Sequence, residues 1–261
     1  MIHPTAIVDP GAKLADDVEI GPYCVIGPEV EIGPGSQVMQ HVSIVERTTI
    51  GARNVIHPGA ILGGDPQDKK YHGEETWLHL GDDNQIREMA TLHRGTAQGG
   101  GVTRVGNGCL IMAACHVAHD CILGDDVTLA NNVLLGGHIV VEDHVGIGGM
   151  TAVHHFVTVG RYAFVGGATR LNKDAPPFLI TEGHPARSRA INRVGLSRRG
   201  KSDAVIQWLK EAQRLLFHEG MIREEAYERL EKQGDIPDEG RFLFEFLAES
   251  ERGKQGRARQ P

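Results

Sequence analysis

His119 is followed directly by Asp120; eighteen residues on stand Gly137 and His138, and eighteen beyond those stand His155 and Phe156. An imidazole titrates near neutrality and can abstract a proton, and a carboxylate beside it can orient the ring. A glycine leaves space and exposes a backbone N–H that can donate to a developing oxyanion. A general base, an orienting acid and an oxyanion donor stand together, provided that an eighteen-residue period brings these three turns side by side. His116 and His154 lie close by in sequence, among 14 histidines in all.

The required period is present. Aliphatic residues recur every six positions from Ile2 through Val8, Leu14, Ile20 and Ile26 to Leu62, again at Leu80, Ile86 and Leu92, and from Val105 through Ile111 and Val117 to Leu171. The fourth residue after each is mostly small or β-branched, as at Ala6, Ala12, Val18 and Cys24. Side chains two apart on a strand share a face, so this small residue and the next aliphatic both point inward, with turns between them. Three such units close a triangular coil, and coils stack as parallel strands about 4.8 Å apart. This is the hexapeptide pattern of a parallel β-helix. Residues 119, 137 and 155 then share one corner, with 120, 138 and 156 beside them.

A tube this narrow explains the composition: aromatics are only 5%, against 34 glycines and 40% hydrophobic residues. The four cysteines (Cys24, Cys109, Cys115, Cys121) all fall at the small inward position, where free Cys behaves as a small hydrophobe. None of the repeat histidines takes an inward slot, so they are surface groups or functional ones. Clustered histidines can also ligate metal, and hexapeptide-helix carbonic anhydrases use a His-x4-His pair. No two histidines here are five apart, so no metal or other cofactor is expected, and a metal-dependent hydratase on the same fold is the alternative that metal analysis would revive.

The period is broken twice. The polar stretch Gly63 to Tyr71 reads as a functional loop or a solvated excursion, and Gly95 to Gly101 as a flexible flap or a glycine-rich bulge. The expected organisation is a β-helix over 1–177, a linker over 178–201 and an α-helical domain over 202–261. Ser202 caps a helix over 203–219, others cover 223–233 and 239–250, and the residues from Glu251 on form a frayed tail. A formal net charge of −7 disfavours nucleic-acid binding, although Arg187 to Lys201 carries six basic residues and no acid, suited to phosphate or an acidic partner. No apolar run is long enough to span a membrane, and no secretory leader is seen, so a cytoplasmic chain is expected.

Five segments carry a resemblance: Gln67 to Tyr71, Ile86-Arg87-Glu88, His93-Arg94-Gly95-Thr96, His116-Val117-Ala118-His119-Asp120-Cys121, and Gly148 to His154. On these, nearly the whole chain resembles the UDP-N-acetylglucosamine O-acyltransferases. The resemblance implies an all-β left-handed parallel β-helix followed by a small α-helical domain, assembled as a homotrimer with active sites between subunits. It implies transfer of a 3-hydroxyacyl group from acyl carrier protein to the 3-hydroxyl of UDP-N-acetylglucosamine, the opening step of lipid A synthesis. Under it His119 is the base, Asp120 its neighbour and Gly137 the oxyanion donor. Gln67, Asp68, Lys70, His116, His138, His154 and His155 line the sugar-nucleotide and acyl groove. Asn192, Arg198 and Arg199 contact nucleotide or carrier, and Gly167 is the acyl-length ruler. His155 stands where the family usually has Gln, and Lys69 where an apolar residue is common. The related sugar-nucleotide N-acyltransferases carry an additional N-terminal domain, whereas the six-residue period here starts at Ile2; a non-catalytic rod has no use for outward histidines at coil spacing.

Overall fold

In the computed structural model, which describes residues 1–261, the six-residue units become strands mostly two residues long. They stack into three sheets of nine, eight and ten strands. Each sheet takes every third strand of the coiled region, so successive strands turn round the three faces of a left-handed β-helix. Regular coils advance eighteen residues: Leu110 lies beside Thr128, and Thr128 beside Gly146.

The aliphatic and small positions fill the tube, forming one core of 40 buried residues. Each buried Val, Leu or Ile contributes about 1.5–3 kcal/mol relative to exposure, so this stack is the main source of stability in the coiled region. The cysteines sit among them as expected, Cys24 donating to the Met39 carbonyl at 2.7 Å and Cys121 to that of Gly136 at 3.1 Å. Burial pushes the Cys109 and Cys121 thiols up to about 12, so they stay protonated and inert.

The corners do not depend on glycine for their left-handed turns. The left-handed position of most corners is held by non-glycine residues, among them Asp120 (φ 61°), His138 (62°) and Phe156 (64°). Many corner glycines serve close approach instead. A Cβ at Gly106 would lie 2.6 Å from the Gly124 carbonyl oxygen on the next coil, so a side chain there would force the coils apart.

Two coils are enlarged. Ile50 pairs with Leu80, thirty residues on, because a loop leaves the rod after Leu62; Leu80 pairs with Val105, twenty-five on, because of the excursion at 95–101. The first loop is held at its base. Arg94, fully buried, donates to the Gly63 carbonyl, the Tyr71 hydroxyl and Asp65, and also pairs with Glu46.

The coil ends in a structured cap. In the segment expected as a linker, Leu179–Glu182 continues one sheet beside Phe164–Val165, and Arg187–Ile191 returns antiparallel to it. A short helix, α1 (Arg193–Arg198), follows, then α2 (Asp203–Gln213), which continues as a π-turn to His218, α3 (Arg223–Glu231) and α4 (Asp238–Arg252). Ser202 caps α2 as expected, its hydroxyl accepting from Val205 N–H at 3.3 Å. Ile206, Leu209, Ala212 and Leu215 face a second core of 10 residues that also takes in Phe178, Leu196 and Leu243.

The C-terminal residues are not frayed. Arg257 is buried and donates to the Asn172 carbonyl. Asp174 accepts from Thr158 N–H at 2.7 Å and from Ala258 N–H at 2.8 Å, and Arg259 reaches the His138 carbonyl at 3.0 Å. Two arginines and a buried acid, far apart in sequence, hold a segment whose composition alone reads as a tail.

Candidate active site

The eighteen-residue geometry brings the expected catalytic group together. His119 Nδ1 donates to Asp120 Oδ2 at 2.7 Å, which fixes the tautomer and leaves Nε2 as the accepting nitrogen. A Cβ built on Gly137 would lie 2.5 Å from His119 Cε1, so the ring rests on the bare glycine of the next coil. Gly137 N–H donates to no backbone carbonyl, while its own carbonyl accepts from Phe156 N–H at 3.2 Å.

Asp120 is 3% exposed. Burial acts to raise its pKa, but hydrogen bonds from His119 and Thr96 outweigh that and hold the carboxyl below its ordinary value, so it stays ionised. The His138 ring meets His119 edge-on at 5.1 Å and stacks on Phe156 at 4.5 Å. Phe156 meets His155 at 5.5 Å, and His155 meets His154 at 3.8 Å. The result is a wall of rings along the corner. Burial lowers His138 and His155 below the usual histidine range; for His138, Asp120 and the loop's Asp68 oppose the change.

His116 sits on the strand leading into the same corner, its Nδ1 2.8 Å from the Thr91 hydroxyl and its ring 5.1 Å from His93. Burial, then the nearby His93 and His119, lower it to about 4. The folded ring is therefore neutral where an unfolded histidine, near 6.5, is charged. The unfolded chain binds more protons over that window, so stability present above pH 6.5 is lost as pH falls toward 4. His116→Gln is expected to remove up to about one proton of uptake on unfolding at pH 5, read as a flatter dependence of urea-unfolding free energy on pH. An unchanged slope would show that the ring is already charged in the folded chain.

The remaining expected residues divide. Gln67 and Lys70 are exposed on the loop and Asp68 is half-buried, with Lys70 N–H donating to Asp68 Oδ1 at 3.0 Å. Asp68 lies near enough to His138 to act on it electrostatically. Gly167 stacks on Gly149, a Cβ there meeting the Gly149 carbonyl oxygen at 3.2 Å. Asn192, Arg198 and Arg199 are not brought to His119 within one chain. The Asn192 side chain caps α1 by accepting from Gly195 N–H at 3.1 Å, and donates to the Tyr162 carbonyl at 2.9 Å. Arg199 pairs with Asp126 at 3.1 Å, and Arg198 is exposed.

Sequence reasoning missed two supports of the dyad, Thr96 and Thr103. Thr96 donates to Asp120 through both its N–H and its hydroxyl, and the Thr103 hydroxyl accepts from Asp120 N–H at 2.8 Å. The only signal was Thr96's place beside the excursion at 95–101, which is a compact 3₁₀ turn (Ala97–Gly99) and not a free flap. His119, Asp120 and His138 also place ligand atoms within 4.8 Å of one another. They form the one set that could hold a metal ion, yet Oδ2 already accepts from both Thr96 and His119. A cation there would have to break the dyad.

Comparison with known proteins agrees with this geometry. Residues 174–254 match a family described as UDP N-acetylglucosamine O-acyltransferase, domain 2, and residues 1–34 and 103–137 match bacterial transferase hexapeptide (six repeats). The chain is 49% identical over 252 residues to the acyl-[acyl-carrier-protein]–UDP-N-acetylglucosamine O-acyltransferase of Myxococcus xanthus, covering 97% of this chain and 98% of that one. It is 45% identical to the crystal structure of UDP-N-acetylglucosamine O-acyltransferase from Moraxella catarrhalis, with a TM-score of 0.89 over 94% of this chain and 95% of that one. The Bacteroides fragilis UDP-N-acetylglucosamine acyltransferase gives a TM-score of 0.91 at 36% identity, over 95% and 97%.

Proposed function

Since the chain belongs to the UDP-N-acetylglucosamine O-acyltransferase family, we propose that the corner at His119 is where a (R)-3-hydroxyacyl group passes from acyl carrier protein to the 3-hydroxyl of UDP-N-acetylglucosamine. That transfer opens lipid A biosynthesis. The observation that carries the site assignment is the His119–Asp120 dyad packed against Gly137, one coil away.

In this reading neutral His119 Nε2 takes the proton of the sugar 3-hydroxyl as that oxygen attacks the thioester carbonyl. The tetrahedral oxyanion accepts from Gly137 N–H. Its collapse expels the carrier thiolate, which recovers the proton from the imidazolium, so atoms and charge balance without a cofactor. Asp120 stays ionised and stabilises the transient imidazolium. General-base help is typically worth about 10²–10⁴-fold, and one oxyanion donor about 10²–10³-fold.

Gln67, Asp68, Lys70, His116, His138, His154 and His155 line the groove for sugar nucleotide and acyl chain. Gly167 leaves a roomy end for the acyl chain. Asn192, Arg198 and Arg199 serve nucleotide or carrier from a neighbouring subunit of a homotrimer, which fits their distance from His119 within one chain. Exposed apolar side chains on one sheet, Ile7, Val25, Ile61 and Leu134, supply a surface for that assembly. The basic stretch from Arg187 to Lys201 suits an acidic carrier, although Arg199 and Lys201 are partly spoken for by Asp126 and Glu239. A cytoplasmic location suits these substrates; no helix is long and apolar enough to cross a membrane.

The test is mass spectrometry of the product formed from UDP-N-acetylglucosamine and a panel of 3-hydroxyacyl carriers. An O-acylated sugar nucleotide from at least one donor is expected. Its absence with every donor would overturn the reading.

A further inference from the structure

The excursion at 95–101 enlarges its coil by seven residues, Leu80 pairing with Val105 in place of the regular eighteen-residue step. Its position gives it a purpose. Thr96 is 1% exposed; its N–H donates to Asp120 Oδ1 at 2.7 Å and its hydroxyl to Oδ2 at 2.7 Å. The same hydroxyl oxygen accepts from Gly99 N–H at 3.2 Å, closing the 3₁₀ turn over the carboxylate. The fit leaves no room at Gly99, where a Cβ would collide with the Asp120 carboxylate.

Asp120 has two imidazoles within reach. Oδ2 is 2.7 Å from His119 Nδ1 and 3.6 Å from His138 Nδ1. A carboxylate free to rotate about χ2 would divide itself between them, and only one of the resulting orientations holds the His119 tautomer. Two donors on one buried residue, one to each carboxylate oxygen, remove that freedom. From the geometry we propose that Thr96 is a positioning residue for the base: it commits Asp120 to His119 and withholds it from His138. It touches no reacting atom. The catalytic consequence rests on His119 being the base.

The hydroxyl also shares Oδ2 with His119, so it moderates the pull of that oxygen on the Nδ1 proton. The other groups facing His119 and His138 are His116 from the preceding strand, Asp68 from the loop, His155 from the next coil and Arg259 from the C-terminal segment. None of them bonds to Asp120, so none replaces the lost donor.

The experiment compares Thr96→Val, which keeps the shape and the N–H, with Thr96→Ser, which keeps the hydroxyl. Thr96→Val is expected to lower kcat about 10-fold, the size of one lost hydrogen bond to a charged group, with KM for the sugar nucleotide little changed. Thr96→Ser returns kcat to wild type. A second readout needs no turnover: the downfield proton resonance of the His119 Nδ1–H, assigned by its loss in His119→Ala, shifts or broadens in Thr96→Val and is restored in Thr96→Ser. An unmoved resonance in Thr96→Val overturns the proposal, as does a kcat loss that Ser fails to recover. Should Thr96→Val be unstable, Thr96→Ala against Thr96→Ser gives the same comparison. If the resonance moves while His119→Ala keeps its activity, Thr96 still positions the ring and it is the assignment of the base that fails.

Discussion

His119→Ala is expected to lower kcat for acyl transfer by about 10²–10⁴-fold, the range of a lost general base, while the chain folds as before. The fold should survive because the ring takes no part in the tube. It lies at a corner outside the 40-residue core, and its backbone carbonyl, which accepts from His138 N–H at 3.0 Å, does not depend on the side chain. Asp120 loses one donor but keeps both from Thr96, so its buried carboxylate is not left bare. The loss should fall on kcat with KM for the sugar nucleotide less affected, because proton removal belongs to the transition state. Release of carrier thiol, followed alongside circular dichroism and a melting curve, separates the two effects. Turnover within about threefold of wild type, well short of the general-base range, would remove His119 from the mechanism.

The grouping of these residues was legible from spacing alone, and the reason is geometric. A six-residue period closes to an eighteen-residue coil, so any two residues eighteen apart on regular coils are neighbours in space. His119, Gly137, His155 and the companion column Asp120, His138, Phe156 could therefore be assembled on paper. The rule fails wherever the coil stops being regular. Arg94 meets Asp65 across 29 positions and Gly63 across 31, distances set by a twelve-residue loop with no period of its own. The glycine-rich stretch after Thr96 has the composition of a flexible flap; it is ordered because Asp120, on a later coil, receives it. The last residues look solvated because Arg257 and Arg259 find their partners at Asn172 and His138, contacts that no local pattern announces. Likewise, the residues from 178 to 201 lack the aliphatic period and so read as a linker. Leu179–Glu182 nevertheless finds a free sheet edge at Phe164–Val165, and Phe178 enters the helical core. Asn192 shows the limit of transferring a role by resemblance. Within one chain its amide is already used as a helix cap, so contact with a ligand needs an exchange of hydrogen bonds.

Gly137→Ala is expected to lower activity by about 10²-fold or more, although it keeps the backbone N–H. The backbone at Gly137 lies outside the left-handed region, so alanine can adopt it without strain, and the lesion is one of contact. The new methyl would stand 2.5 Å from His119 Cε1, 2.7 Å from Nε2 and 3.1 Å from Nδ1, inside van der Waals distance of the whole inner edge of the ring. The ring must yield, since Gly137 is buried and its coil is tied to its neighbours by strand pairing on either side. Swinging away, His119 either stretches its 2.7 Å bond to Asp120 or turns Nε2 from the line of attack, and a displacement of about 1 Å can cost about 10²-fold. The double variant separates the two tasks proposed for this glycine. If Gly137 acts only by leaving room for the ring, His119→Ala/Gly137→Ala is no slower than His119→Ala, because the methyl then fills space that the imidazole has vacated. A further loss in the double variant means that the methyl also obstructs the oxyanion, which places the N–H at the reacting carbonyl. Gly137→Ala active to within about threefold, against the loss expected from misplacement, would show that the ring tolerates displacement and that the close stacking of these coils is structural.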